Sequence, residues 1–316
     1  MEGIGLGTAA IGRPVYINIR HEKPGEVLSV PEFRKRGLAI LDDAYRNGVR
    51  FFDTSPGYGL AESLLMEWLR GKDDPRIRVA TKWGLSYAAN FDRHAKVHEI
   101  KEHTLERLDA QWACSEKLLP YLTTYQIHSA TLETGVLDNR DILQRLHHIK
   151  KEHNIRIGLT TTGANQVEVL KKAVDIMVED EPLFGSFQST YNIMEQSLLQ
   201  MKEIFAQTNT QLIIKESLAN GRLMPGLPSK EHNGLYRYIT TLAEQYNVGA
   251  DAIGIRFCLD SFPGALVLSG ASSSDQLHSN LEAKTFKLHE DELEMLGSYK
   301  IEPATYWDRR KQLPWQ

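Results

Sequence analysis

The chain has 316 residues, 41% of them hydrophobic and 25% charged, with a formal net charge of −4, a make-up with no general attraction to nucleic acid or anionic lipid. No run approaches the roughly eighteen apolar residues of a membrane span, and two cysteines, Cys114 and Cys258, are too few for a disulfide framework and are expected to be reduced and buried. Residues 1–316 show no shift in composition, repeat or linker, so one domain is expected. The start, Met1-Glu2-Gly3-Ile4-Gly5-Leu6-Gly7, lacks the regions of a secretory signal and reads as a core strand, which points to a cytoplasmic protein.

In chain order, eight short apolar runs read as strands: Ile4–Thr8, Arg50–Asp53, Arg78–Lys82, Tyr125–His128, Arg156–Thr160, Phe187–Ser189, Leu212–Lys215 and Ala265–Ser269. Between them, apolar residues three and four apart predict helices. The first covers Pro31–Asn47, entered through the capping-box pattern Ser29-Val30-Pro31-Glu32, and the second begins at Ala61 and stops at Gly71. Others are predicted over Val97–Gln111, Asn139–Glu152, Gln166–Met177, Gln196–Gln207, Leu235–Gln245, Ala250–Leu259 and Ser274–Glu282. Eight strands alternating with helices predict a closed (β/α)8 barrel, with a doubly wound open sheet as the competitor. Gly5-Leu6-Gly7-Thr8-Ala9-Ala10 matches the dinucleotide fingerprint of the open sheet in form, but almost no strand precedes it and Ile11-Gly12-Arg13-Pro14 leads into a loop. It reads instead as a strand end that another backbone or a ligand approaches closely.

In such a barrel the working residues stand at the C-terminal strand ends. Asp53 ends the second strand and Tyr58 follows it in Thr54-Ser55-Pro56-Gly57-Tyr58-Gly59, where Pro56 and two glycines shape a loop that presents the phenol rather than buries it. Lys82 ends the third strand and His128 the fourth. Neighbouring strands bring these four side chains together. The chemistry they support is proton donation to a carbonyl oxygen: a lysine ammonium beside a phenol favours its ionised form, an aspartate keeps the lysine charged, and a neutral histidine orients the oxygen. Hydride has no side-chain source, so a nicotinamide cofactor is implied. His94, His98 and His103 lack the spacing of a zinc site, so no metal is expected, and His147 and His148 read as the solvated side of a helix.

Phe52-Asp53-Thr54-Ser55-Pro56-Gly57-Tyr58-Gly59, Thr81-Lys82-Trp83-Gly84 and Gln126-Ile127-His128-Ser129 together resemble the aldo-keto reductases, from Ile4 to about Ala283. The resemblance implies a (β/α)8 barrel, an NADPH or NADH cofactor, and Asp53, Tyr58, Lys82 and His128 as the catalytic tetrad. It implies a cofactor path as well. Gln188, in Phe187-Gln188-Ser189-Thr190-Tyr191-Asn192, and Thr160 and Thr161 in place of a Ser-Asn pair would meet the carboxamide. Lys215 stands where an aromatic residue often stacks on the nicotinamide. Leu218, Ala219, Asn220 and Gly221 would wrap the pyrophosphate, and Gly270, Ser272, Gln276 and Asn280 would meet the adenosine phosphate. The last segment looks more like the potassium-channel β-subunit branch than the aldose reductase branch; it and the bacterial aldose dehydrogenase-like branch are the closer parallels. Gly270 and Gln276 stand where many NADPH users have Lys or Arg, yet Ser272, Ser273 and Ser274 at a helix start suit a phosphate, so NADPH is expected, with NADH the alternative.

Trp83 is the leading pocket-wall residue, with Tyr16, Phe91, Trp307 and Trp315 behind it, on loops 12–29 and 84–96 and the tail after Ser298. The expected activity is interconversion of an aldehyde or ketone with an alcohol, on a small molecule and with no partner protein indicated. Two alternatives stand beside it: a nicotinamide-binding regulatory module of low turnover similar to the channel β-subunits, and a barrel isomerase or lyase using Lys82 as a Schiff base.

Overall fold

The computed structural model describes residues 3–14, 28–92, 94–225 and 232–315. Eight parallel strands close into a barrel: β1 (Gly3–Gly7), β2 (Phe51–Asp53), β3 (Arg78–Trp83), β4 (Leu122–Ala130), β5 (Arg156–Thr161), β6 (Phe184–Thr190), β7 (Gln211–Lys215) and β8 (Leu266–Ser269). Each pairs with its neighbours in the chain, and β1 closes on β8 with Ile4 opposite Val267. All eight expected strands are present. Those seen only as cores, β4 and β6, extend further at both ends.

Alternation along the strands sorts the side chains. Leu6, Phe52, Val79, Ile127, Leu159, Phe187, Ile214 and Val267 belong to the large core between barrel and helices, whereas Phe51, Ala80, Ile213, Leu266 and Leu268 form a separate apolar plug inside the barrel. Beside the plug, Thr124 and Ser186 hydroxyls each donate to Gln211 Oε1 at 3.2 Å. The interior is thus filled from below, and only its upper end is left for chemistry.

The helices around it include α1 (Val30–Arg46), α2 (Ala61–Leu69), α3 (Leu105–Ser115), α4 (Arg140–His153), α5 (Gln166–Val174), α6 (Lys202–Gln207), α7 (Asn233–Tyr246), α8 (Ala250–Ser261), α9 (Ser274–Leu281), α10 (Glu290–Gly297) and α11 (Pro303–Lys311). The capping box at α1 is formed: Ser29 N–H donates to Glu32 Oε2 at 2.8 Å, while Ser29 Oγ accepts from Glu32 N–H. No helix among the described residues is long and apolar enough to cross a membrane.

Several local expectations are corrected. Helix does not begin at Val97, because Glu99–Lys101 pairs antiparallel with Leu85–Tyr87; it begins at Leu105, where Thr104 Oγ1 accepts from Arg107 N–H. The helix expected to reach Met177 stops at Val174, since Met177–Val178 turns back on Glu181–Pro182. The segment from Gln196 starts as a 3-10 turn over Ser197–Met201. Ala9–Gly12 forms one helical turn rather than a plain loop. Cys258 is buried but Cys114 is exposed. His147 is buried, not solvated, because it shares the core face of α4 with Leu143 and Leu146 and lies under the Met177–Pro182 hairpin, near Glu179 and Glu181.

Candidate active site

The upper end of the barrel gathers the four expected residues. Asp53 and Lys82 point inward from adjacent strands, 2% and 0% exposed, and Lys82 Nζ donates to Asp53 Oδ2 at 2.6 Å and to the Thr54 carbonyl at 2.9 Å. Asp53 Oδ1 accepts from Gln188 Nε2 at 2.7 Å, so both carboxylate oxygens are engaged. Burial pushes the Lys82 ammonium below its ordinary pKa, and the charges of Asp53 and Glu62 oppose that push.

Tyr58 reaches the same place by a tightly built turn. Pro56–Tyr58 is a 3-10 turn whose first free amide, Gly57 N–H, donates to Ser55 Oγ at 3.0 Å. Two glycines are required by contact. A Cβ on Gly12 would fall 2.1 Å from the Tyr58 carbonyl, and one on Gly59, at φ +64°, would fall 2.4 Å from the Gly12 carbonyl. This packing makes Tyr58 less exposed than the loop suggested: it is 9% exposed, with Lys82 Nζ 4.9 Å from its ring centre and its hydroxyl 3.4 Å from His128 Nε2.

His128 sits on a bulge where the register of β4 against β5 shifts between Ile127 and Ala130, and the next residue, Ser129, takes φ +55°. Such a bulge re-aims one side chain. Ser129 N–H donates to Thr160 Oγ1 at 2.7 Å, which holds it there. His128 is held well below its ordinary pKa, first by burial and then by the charges of Lys82, Lys215, Arg13 and Lys101, and its Nδ1 lies 3.1 Å from Ser55 Oγ. The ring is therefore neutral.

The other expected residues divide. Gln188 is inside the barrel but is turned onto Asp53, and Gln126 Oε1 also accepts from it at 3.4 Å. Thr160 faces inward, whereas Thr161 faces the helices, 2.8 Å from Ser189 Oγ and within reach of Gln166. Lys215 stands inside the mouth, donates to Thr190 Oγ1 at 3.2 Å, and is depressed to a pKa of about 8 by burial, with Glu216 opposing. Burial alone would raise the Glu216 carboxyl, but Arg310, Lys215 and Arg222 hold it down at about 2. Trp83 is not brought to the mouth. Alternation sends it outward from β3, 0% exposed and edge-on to His103 at 5.5 Å, so its role here is packing. Tyr16 lies outside the described residues. Phe91 packs on Tyr87 and Phe33, Trp307 lies 6.0 Å from Lys215 Nζ, and Trp315 stacks on His98.

Two places suit an anion. After β7 the backbone is left-handed at Glu216, Ala219, Asn220 and Gly221, with φ between 50° and 83°, and such turns direct successive amide groups into a concavity. At the start of α9, Ser273 Oγ accepts from Gln276 N–H, Gln276 Oε1 accepts from Ser272 N–H at 2.9 Å, and Asn280 is locked by Ser269 and Asp251. Arg36, from α1, donates through Nε to the Ser272 carbonyl at 2.9 Å. Sequence reading missed this cation because 236 residues separate the partners. It also missed Ser55, and Arg13, whose guanidinium lies 5.3 Å from the Tyr58 ring centre. The left-handed loop after β7 and the start of α9 beside Arg36 are the places that would hold the phosphates of a dinucleotide.

The model of the aldo/keto reductase family matches residues 4–300. L-galactose dehydrogenase of Arabidopsis thaliana is 28% identical over 285 residues, covering 82% of this chain and 79% of its own. D-threo-aldose 1-dehydrogenase of a Pseudomonas species is 24% identical over 277 residues, covering 77% and 82%. Among solved structures, a glycerol dehydrogenase from Gluconobacter oxydans superposes with a TM-score of 0.70 at 20% identity over 94% of this chain and 90% of its own. A holo aldo-keto reductase from Bacillus halodurans gives 0.66 at 17%, over 94% and 91%. With an eight-stranded barrel, a family match over nearly its whole length and dehydrogenases and reductases among its relatives, the chain belongs to the aldo/keto reductase family and is an oxidoreductase acting on carbonyl compounds.

Proposed function

We propose that the protein interconverts a carbonyl compound and an alcohol with NADPH, using Tyr58 as general acid in reduction and general base in oxidation. The observation that carries this reading is the convergence of Asp53, Lys82, Tyr58 and His128, with the Tyr58 hydroxyl 3.4 Å from a neutral imidazole and a buried ammonium 4.9 Å from its ring centre. The bound nicotinamide supplies or accepts the hydride. Lys82, kept charged by Asp53, stabilises negative charge developing on the Tyr58 oxygen as its proton passes to the carbonyl oxygen. Ser55 Oγ already accepts from Gly57 N–H; when its own proton goes to His128 Nδ1, the ring proton lies on Nε2, facing Tyr58 and the substrate oxygen. His128 then orients that oxygen without competing for the proton.

In this reading Lys215 and the nest at 216–221 hold the reactive half of the cofactor, and Gly270, Ser272, Gln276 and Asn280 hold the adenosine half. Arg36 supports NADPH over NADH, since a 2′-phosphate favours a guanidinium. Lys82 as a Schiff-base amine is disfavoured: its nitrogen is wholly buried and bonded to Asp53 and Thr54. Lys215, in place of a stacking aromatic, is what favours a second reading, a cofactor-binding module of low turnover.

The test follows NADPH and NADH oxidation with a reactive aromatic aldehyde, and the reverse reaction with aldoses and polyols, because relatives are named for a sugar and a neighbour for glycerol. Tyr58→Phe should lower kcat by about 100-fold or more while cofactor affinity, read by fluorescence, stays unchanged. Equal turnover in both proteins would overturn the assignment of Tyr58; cofactor binding with no turnover on any carbonyl would favour the module. Arg36→Met should weaken NADPH binding by about tenfold or more, the scale of one charge-assisted hydrogen bond, and leave NADH binding unchanged.

A further inference from the structure

The mouth of the barrel holds a buried cation outside the tetrad. Arg13 follows the helical turn after β1 and is 3% exposed. Its Nη1 donates to the Gly57 carbonyl at 3.3 Å and pairs with Glu99 Oε1 at 2.5 Å. Its guanidinium carbon lies 5.3 Å from the Tyr58 ring centre and 5.2 Å from that of Trp315. Trp315 in turn stacks on His98 at 4.3 Å and 6°. One guanidinium therefore ties together the β1 end, the Tyr58 turn, the Leu85–Lys101 hairpin and the last turn of the chain.

Burying an arginine costs solvation that an apolar side chain would not forfeit, so a role in stability alone explains it poorly. A role at Tyr58 explains both its place and its charge. Gly12 brings the backbone against Tyr58, its carbonyl accepting from Leu60 N–H at 2.7 Å, and the guanidinium of the next residue lies 5.3 Å from the phenol ring centre. Its charge is felt inside the site, where it helps hold His128 neutral. A cation beside an aromatic ring is attracted to its electron-rich face, and more strongly once the phenol carries negative charge.

We propose that Arg13 is a positioning residue for Tyr58 and that Trp315 holds it in place, so that residues from the two ends of the chain together set the phenol at the barrel mouth. The inference rests on Tyr58 being the acid-base group. Among the described residues, the charged and titratable groups at Tyr58 include Lys82 from β3, which is paired with Asp53, His128 from β4, and Arg13, which is paired with Glu99; Lys215 and Lys101 act on His128. Removing only Arg13 takes one positive charge away and leaves the others in place.

The experiment compares Arg13→Met, Arg13→Lys, Trp315→Leu and Tyr58→Phe with the wild type by kcat and KM across pH, with far-UV circular dichroism and NADPH affinity as controls. Arg13→Met should lower kcat about tenfold, hold KM within about threefold, and move the limb that reports Tyr58 ionisation up by about one pH unit, the scale of losing one nearby opposite charge. Arg13→Lys should return that limb towards the wild type, and Trp315→Leu should shift kcat and limb in the direction of Arg13→Met by less. A folded Arg13→Met with wild-type kcat and limb would overturn the proposal, as would equal losses in Met and Lys variants with the limb unmoved. If Arg13→Met does not fold, wild-type kcat and limb in Trp315→Leu would overturn it. Full turnover in Tyr58→Phe would instead mean that the acid-base reading itself is wrong.

Discussion

Replacing Asp53 with Asn tests the electrostatic core of the site with almost no change of shape. The carboxylate accepts from two donors at once, Lys82 Nζ at 2.6 Å on Oδ2 and Gln188 Nε2 at 2.7 Å on Oδ1. An amide has one acceptor oxygen, so in either orientation its NH2 group faces a donor, and one buried hydrogen bond is lost. The Coulomb attraction across 2.6 Å is about 6 kcal/mol at an effective dielectric of about 20. Without it, burial pushes the Lys82 ammonium further below its ordinary pKa, so more of the amine is neutral at a given pH. Breaking one side of a buried pair costs about 3 kcal/mol or more, and Tyr58 loses the cation 4.9 Å from its ring centre. Urea unfolding and kcat across pH read the two consequences. Stability should fall by about that amount and kcat by about 100-fold or more near neutrality. As pH is lowered and Lys82 regains its proton, part of the activity should return. A variant with wild-type stability, wild-type kcat and the same pH profile would refute the reasoning.

Two further outcomes follow from contacts and charge. His128 lies well below the ordinary histidine value of 6.5 and His103 is depressed to about 4, each first by burial. Below 6.5 the unfolded chain takes up protons that the folded chain refuses. Their contribution is therefore complete above about pH 6.5 and is lost as pH falls, for His103 until about pH 4, at about 1.4 kcal/mol per histidine per pH unit. Urea melts across that window should show the decline, and His103→Gln should flatten it; an unchanged slope in the variant would contradict the assignment. Gly12→Ala places a methyl 2.1 Å from the Tyr58 carbonyl and 2.4 Å from Ala61 Cβ. It should cost about 1–3 kcal/mol by overpacking and lower kcat by displacing the Tyr58 turn; wild-type values by thermal melt and turnover assay would count against that contact.

Much of the barrel was legible because its strands are buried on both faces, so each reads as a short apolar run whatever its neighbours are. Asp53, Lys82 and His128 were legible for a related reason: a charged or polar side chain closing such a run has few places to go except the mouth, and Tyr58 was legible from the proline and glycines of its turn. Where the chain departed from its local pattern, the cause was a partner distant in sequence. The segment from Val97 to Gln111 carries apolar residues at helical spacing, but Leu85–Tyr87 captures Glu99–Lys101 as a strand. His147 looks like part of a basic, solvated helix face, but it is covered by the Met177–Pro182 hairpin. Trp83 beside Lys82 looked like a pocket wall, and the two-residue alternation of a strand sends it to the opposite side.

By itself, then, the sequence determined the barrel class, the order of its strands and which side chains would end them, since these depend on hydrophobic period and local turn chemistry. Only the tertiary structure decided that Gln188 locks Asp53, that Ser55 meets His128, that Arg36 reaches the start of α9, and that Arg13 lies between Tyr58 and Trp315. Each of these joins residues from different elements, and no local pattern records which distant donor will fill a given acceptor once the barrel has closed.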